Sequence, residues 1–482
     1  MIPLFQLLKD ESVDWIINHS TEQRVDTNEV LIREGTQIGS MYIVTEGLLG
    51  AYAGGKQIGI AGPGTVVGEM SFVDQDPTAA SLVALEQTHL LELSRETVAA
   101  QVAEQPGFAA DFFRAIAITL SQRLRVLSHS RTGRTFTRAE AERAFDNEDW
   151  RLALTMMAEF KRMLVGADHE SIKADGVSEE TYQKLAQKSG ELMALSYRLL
   201  GDVSPLTPYM KEQLGGLLQT ELLPYVLLTG TIERCYSKPR GYAGDYLTIE
   251  KIYNNRPEGA GRIGAVVDRL FLAMPAALAV RNRRALVAEE IMRTVRERAA
   301  PGRPARVLSL ACGPAREIAD VFAGLTDRNC LVATCLDIDL QALAFVADWR
   351  DKAGLKSRIQ LLNQNLISLA LGRATLQVAP QDLVYSIGLI DYFDDRMVVK
   401  MLDFIHGVLA PGGRVILGNF HPRNQTRAIM DYLLEWRLIH RTEEDMDRLL
   451  SASKFKSTAT NIRFDETGVN LFAECQKAAA ES

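Results

Sequence analysis

The sequence predicts a multidomain chain: a small N-terminal β-roll, a helical middle and a C-terminal doubly wound α/β domain on a seven-stranded sheet. Three observations predict it. Short β-type runs punctuated by glycine fill residues 29–95. Charged helical periodicity with no fixed repeat occupies most of the middle. After about residue 270, apolar strand-like runs alternate with helical patterns, as a mostly parallel sheet requires. The expected boundaries are 1–130, 131–269 and 270–482, and 482 residues give each part enough chain for a core.

Composition narrows the function classes. The net charge of −7 argues against wholesale binding to a nucleic-acid backbone. The run Leu270 to Val280 is broken by Pro275 and too short to span a bilayer. The N-terminus lacks a signal-peptide pattern. Five cysteines show neither paired metal spacing nor a secreted-type framework, so the expectation is reduced thiols in a cytoplasmic protein without a metal site.

In the N-terminal part, Val30 to Arg33, Met41 to Thr45, Leu48 to Tyr52 and Leu90 to Leu93 read as strands, and Gly54-Gly55 as a hairpin. The stripe Phe112, Ile116, Leu120, Leu124, Leu127 predicts a helix over 108–127, read as a dimerisation helix of a homodimer. Within this part, GEMSFVDQDPTAAS (Gly68 to Ser81) resembles the phosphate-binding cassette of cyclic nucleotide-binding domains. The resemblance implies that Gly68 and Glu69 open the loop and that Glu69 meets a ribose hydroxyl. Nine residues on, the family places an arginine on the cyclic phosphate. This chain has Thr78 there, followed by Ala79 and Ala80. A buried anion without a cation is costly, so the barrel is expected to hold another small ligand or to serve dimerisation alone.

In the middle, Thr137 to Phe145, Trp150 to Leu164, 178–200 and 208–230 carry helical periodicity, and Gly166 to Gly176 reads as a loop. KPRGYAGDYLTIEKIYNNRPEG (Lys238 to Gly259) combines turn formers with Arg240, Tyr242, Asp245, Tyr246 and Tyr253. It is either a tight turn whose tyrosines plug an interface or a lid that excludes water from a site. Arg281, Asn282, Arg283 and Arg284 follow as a polar cluster.

The C-terminal part is organised around PARVLSLACGPAREI, residues 304–318. Val307 to Leu310 is a short strand, and the small residues Ala311, Cys312, Gly313, Pro314 and Ala315 turn it into a helix. Such a turn lets backbone approach a ligand at a helix N-terminus. One glycine is too few for the dinucleotide fingerprint, and there is no Gly-Lys-Ser/Thr phosphate cradle. Twenty-four residues after Gly313, Asp337 closes the run Leu331 to Leu336, where an acid suits a ribose diol. A ribose without a phosphate to cradle points to S-adenosylmethionine. VLSLACGPAREI followed by CLDID resembles motifs I and II of class I methyltransferases, although Ser309 and Ala311 replace the usual acid and glycine. This resemblance implies a Rossmann-like fold with cofactor contacts from residues 311–314, Asp337, Ile338, Asn365, Leu366, Ser386 and Gly388.

Further strands are expected at Ile359 to Asn363, Leu383 to Ser386 and Val415 to Gly418, with a turn at Pro411-Gly412-Gly413. Ser457 to Phe464 and Val469 to Glu474 read as a terminal antiparallel hairpin, and Leu433 to Arg441, with Trp436, as a core helix. His421 follows the fifth strand at its carboxyl end, beside Asn419. It is either structural or a substrate-site residue. Residues 180–475, with the GYAGDY stretch and the arginine cluster, resemble the extracellular-factor 3-hydroxypalmitic acid methyl ester biosynthesis proteins. That resemblance implies methylation of the carboxylate of a long-chain 3-hydroxy acid. Tyr242, Tyr246, Asn419, His421 and Asp391 are the candidate catalytic residues, and Arg240, Asp245, Arg283 and Tyr392 the candidate substrate contacts, with Arg240 and Arg283 alternatively steering or holding the cofactor's own carboxylate. Phe271, Leu272 and Met274 could line an acyl pocket or belong to the core. Two other readings stand beside it: methylation of a hydroxyl or amine on another metabolite, and a sensor whose C-terminal half binds cofactor without turnover.

Overall fold

The computed structural model describes residues 8–53, 56–62, 65–105, 107–117, 147–174 and 176–479. The chain divides into two compact units. One is Met1–Glu140 with Lys238–Ala243, the other Ala141–Ser237 with Gly244–Ser482.

The N-terminal unit is a β-roll of two four-stranded sheets. Its strands are β1 (Thr21–Val25), β2 (Val30–Ile32), β3 (Ser40–Glu46), β4 (Leu49–Ala53), β5 (Lys56–Ala61), β6 (Val66–Val67), β7 (Ser81–Ala84) and β8 (Thr88–Ser94). One sheet runs β1-β8-β3-β6, the other β2-β7-β4-β5. Alternation along β3 explains the packing. Val44 points between the sheets with Leu49, Leu82 and Leu90. Met41 and Ile43 point outward into a second core with Phe72, Phe108, Phe112 and Ile116. Phe112 and Ile116, read from sequence as part of a dimerisation stripe, are therefore buried within this unit. Leu120, Leu124 and Leu127, the helical pattern at Thr137 to Phe145, and Gly54-Gly55 lie outside the described residues. β4 and β5 nonetheless pair antiparallel, with Ala53 opposite Lys56.

The second unit opens with helices Glu148–Ala174, Glu179–Leu200 and Pro208–Val226. The first corrects the expected loop at Gly166 to Gly176. Its buried stripe Trp150, Ala153, Met157, Phe160, Leu164, Ala167 continues at three- and four-residue steps straight past Gly166. Glu170, still on that helix, accepts from Ser178 N–H (2.8 Å), at the start of the next. Among the described residues no helix is long and apolar enough to cross a membrane.

The seven-stranded sheet comprises β9 (Ala305–Leu310), β10 (Leu331–Asp337), β11 (Ile359–Asn363), β12 (Gln381–Ile387), β13 (Leu409–Phe420), β14 (Asn461–Phe464) and β15 (Asn470–Gln476). Its order is β11-β10-β9-β12-β13-β15-β14. The first five strands are parallel, and β15 runs antiparallel to both β13 and β14. Pro411-Gly412-Gly413, expected as a turn, lies inside β13. The β12–β13 register slips there from Gln381–Leu409 to Leu383–Arg414, and Gly412 takes φ 70°. The slip accommodates the extra residues as a bulge without ending the strand.

Leu433 to Arg441 is also not a core helix. Leu434 N–H bonds back to Ile429 O and Trp436 N–H to Met430 O, widening the last turn, and Glu435 takes φ 50°. The chain then runs irregularly to Arg441, whose buried guanidinium fastens the loop. It donates to Ile390 O (2.8 Å), Asn419 Oδ1 (3.0 Å) and Asp395 Oδ1 (3.0 Å) and also reaches Phe393 O. Arg441→Met leaves the buried oxygens of Ile390, Phe393 and Asn419 without this donor, while Asp395 keeps its pairing with Arg448. It should destabilise this unit by about 3–5 kcal/mol, read as a lower urea midpoint at unchanged slope.

Candidate functional site

Strand order reverses between β9 and β12; the carboxyl ends at such a switch point are where open α/β sheets bind ligands. The chain leaves β9 at Leu310 and must enter helix Arg316–Gly324 within five residues. It does so through left-handed backbone at Ala311 (φ 51°), Gly313 (φ 52°) and Ala315 (φ 48°). Side chains are disfavoured in that conformation, which explains the run of small residues. A Cβ on Gly313 would meet nothing within 4 Å, so the glycine leaves open space rather than filling a packed gap.

The turn is stitched to the end of β10. Cys312 N–H donates to Leu336 O (3.0 Å) and Gly313 N–H to Asp337 Oδ2 (2.8 Å). Asp339 N–H donates to Asp337 Oδ1 (2.9 Å). Burial pushes the Asp337 carboxyl up to about 6 despite these backbone donors. Each oxygen keeps a lone pair for a further donor. Beside it, Ile338 stays 37% exposed, an apolar face at the strand's end. Asn365 caps helix Leu366–Ala370, accepting from Ile367 N–H (2.9 Å), and Leu366 is buried. Asn363 supports the edge by donating to Ile338 O (2.8 Å). The Pro314 carbonyl accepts from Trp349 Nε1 (3.2 Å).

Across the reversal, Ser386 Oγ donates to Leu310 O (3.2 Å), so its hydroxyl ties β12 to β9. Gly388 takes φ 92°, and a Cβ there would stand 2.5 Å from Arg283 Nη1. Asp391 Oδ1 accepts from Phe420 N–H (2.6 Å), and burial pushes its carboxyl up to about 6. Tyr392 Oη accepts from Trp436 Nε1 (2.8 Å), which leaves its own proton to donate. Gly244 passes directly over it: a Cβ there would be 2.9 Å from that oxygen.

Several sequence candidates turn out to be engaged in holding the fold. Asp245 is fully buried, caps helix Tyr246–Asn254 at Leu247 N–H (2.9 Å) and Thr248 N–H (3.0 Å), and pairs with Arg234 (3.0 Å). Asn419 donates to Phe420 O (2.8 Å) and Ile439 O (2.9 Å) and accepts from Arg441. His421 Nδ1 accepts from Arg423 N–H (3.1 Å), which puts the proton on Nε2, facing Glu443 Oε2 at 3.0 Å. Tyr246 packs against Phe345, ring centroids 5.6 Å apart. Arg240 and Tyr242 belong to the N-terminal unit.

Sequence reasoning missed three participants. Trp436, read as core, holds Tyr392. Glu317, two residues past the turn, accepts from Tyr385 Oη (2.7 Å) under full burial, which pushes its carboxyl up. Glu250 grips Arg316 through both oxygens (2.9 and 2.6 Å), clamping helix Tyr246–Asn254 to the end of the turn. The legible signals were an acid just after the turn and a tyrosine inside the apolar run Leu383 to Ser386.

In the β-roll, Gly68 takes φ 77° and opens the short helix Glu69–Asp74, with Glu69 buried. Thr78 is committed elsewhere. Its Oγ1 donates to Arg33 O (2.6 Å), its N–H to Thr36 O (2.9 Å), and its carbonyl accepts from Gly35 N–H (2.8 Å).

Two family models match the chain. Residues 22–105 match the family model "Cyclic nucleotide-binding domain", and residues 241–475 match "Putative methyltransferase". The chain joins a cyclic nucleotide-binding domain to a methyltransferase-family domain. The first is similar to the cyclic AMP receptor protein of Thermus thermophilus, 32% identical over 128 residues, covering 26% of this chain and 57% of that one. It is also similar to a cAMP-dependent protein kinase regulatory subunit of Yarrowia lipolytica, 30% identical over 94 residues, 20% of this chain and 25% of that one. The chain thus spans little more than half, or less, of the curated relatives it matches. A possible exported protein of Bordetella parapertussis superposes with TM-score 0.41 at 20% identity, over 61% of this chain and 97% of that one.

Two outcomes follow from this geometry. His421→Ala should lower stability while leaving the shape of any pH–rate profile unchanged, because the ring is an acceptor and donor within the fold and not a free base. In the methyltransferase-family domain a shifted profile would contradict that. In the β-roll, the wild-type chain should bind cyclic AMP and cyclic GMP weakly or not at all by calorimetry. Thr78→Arg should raise that affinity, and tight binding by the wild type would show that another cation serves the phosphate.

Proposed function

We propose that this chain is an S-adenosylmethionine-dependent O-methyltransferase acting on the carboxylate of a long-chain 3-hydroxy acid to give a methyl ester signal. The observation that carries the cofactor is the joint between the left-handed turn at 311–315 and Asp337. It offers open space above Gly313, a buried carboxylate with spare lone pairs and the exposed face of Ile338. A thioether arm, ribose hydroxyls and an adenine ring fit those three features in turn. No phosphate cradle stands in the way of this reading.

S-adenosylmethionine supplies an electrophilic methyl group on a sulfonium. The chain's part is to align the acceptor with it and to exclude water. A carboxylate is ionised at neutral pH and needs no general base. That suits a site in which both nitrogens of His421 are engaged. Tyr392, held by Trp436 with its proton free to donate, can orient one acceptor oxygen without the quenching a paired arginine would bring. Helix Tyr246–Asn254, clamped through Glu250 and Arg316, is read as the cover over this edge. The 3-hydroxy acyl substrate rests on the family resemblance of residues 180–475. The β-roll is read as a regulatory module for a small ligand other than an ordinary cyclic mononucleotide, in a cytoplasmic homodimer.

The ionised form of Asp337 accepts the ribose hydroxyls, so binding favours loss of its proton. Its raised value makes affinity for S-adenosylhomocysteine climb with pH through about 6 and level off above 7. At pH 5 affinity should be about 10-fold below the plateau. Asp337→Asn should bind more weakly at every pH and lose most of this slope. A slope that persists unchanged in the variant would place the titrating group elsewhere.

A further inference from the structure

Arg283 is a buried arginine whose guanidinium the fold leaves incompletely partnered. It sits on helix Pro275–Arg298 and is 7% exposed. Among the described residues it makes no ion pair, whereas Arg284, its neighbour, is paired with Asp320 through two bonds (2.6 and 2.7 Å). The Nε of Arg283 is buried without a partner. Tyr253, Tyr392 and the buried carboxyls of Glu317 and Asp391 lie near enough to feel its charge, but none of them forms an ion pair with it. Leaving a guanidinium in this condition is unfavourable unless a ligand completes it.

Its position says which ligand group. The guanidinium lies against Gly388 at the carboxyl end of β12, where any side chain would displace it. Glu317, in the first turn after residues 311–315, and Asp391 both feel its charge. Arg283 therefore stands at the strand-order reversal, between the turn after β9 and the loop after β12. It is a planar donor suited to a carboxylate.

We propose that Arg283 anchors the α-carboxylate of the cofactor's amino-acid arm, and that Gly388 is glycine so that the guanidinium can reach it. This rests on the reading of the 311–315 edge as an adenosyl site. The reacting carboxylate of the acceptor is the poorer partner, because a two-pronged arginine would hold it firmly and lower its nucleophilicity. The amino-acid carboxylate does not react and loses nothing by being gripped.

The test compares two ligands on the full chain by calorimetry. S-adenosylhomocysteine carries the amino-acid arm; 5′-methylthioadenosine has the same adenosine and thioether without it. In Arg283→Met, affinity for S-adenosylhomocysteine should fall at least about 10-fold while 5′-methylthioadenosine binds as before. Arg283→Lys keeps the charge without the fork and should recover part of the loss, and it serves if the methionine variant does not fold. Equal losses for both ligands would make Arg283 structural, and no loss for either would assign it to the acceptor; each overturns the proposal. Failure of both ligands to bind the wild type would instead remove the adenosyl reading on which it rests.

Discussion

The bond from Gly313 N–H to Asp337 Oδ2 joins the two pieces of chain on which the proposed cofactor site depends. It can form only because the chain leaving β9 alternates into left-handed backbone three times in five residues. Residues with bulk at 311 or 315 would resist that path, and a side chain at 313 would fill the space above it. The same bond holds the turn against β10, so the proposed ribose acceptor and the proposed cradle for the thioether arm move as one piece. Asp337 is consequently both a structural acceptor and a ligand acceptor. Its raised pKa reflects that burial.

The opposite side of the reversal is organised by arginines with opposite fates. Arg441 is saturated, by oxygens of the segment after β12 (Ile390, Phe393 and Asp395) and of Asn419 near the end of β13. Its satisfaction fixes the loop that carries Asp391 and Tyr392. Arg283, equally buried, lacks such partners. A fold that engages Arg441 and Arg284 directly but leaves the Nε of Arg283 without a partner keeps a donor in reserve at the strand-order reversal.

The sheet was legible because each strand is an apolar run ending in a recognisable turn or acid. The expected strand Ile359 to Asn363 coincides with β11, and the terminal hairpin appears as β14 and β15. The errors have local physical causes. Gly166 signals a loop only if its neighbours are unburied, and Leu164 and Ala167 are core. The end of the helix before Trp436 depends on a widened turn that no periodicity announces. The candidate site was half legible. Gly313 and Asp337 follow from spacing and residue type, and Gly388 came only with the methyltransferase resemblance. Whether a polar side chain is available or already engaged depends on partners far along the chain. Arg234 takes up Asp245, and Arg423 and Glu443 take up His421. Arg283 and Asp245 look alike in sequence, and only their partners distinguish them.

The central claim is that the edge formed by residues 311–315 and Asp337 holds an adenosyl ligand. A crystal structure of the chain grown with S-adenosylhomocysteine tests it most directly. The account predicts the ribose hydroxyls on the Asp337 carboxylate, the adenine against Ile338 and the thioether arm over Gly313. Ligand density at another place in the chain, with this edge unchanged and empty at saturating ligand, would contradict it.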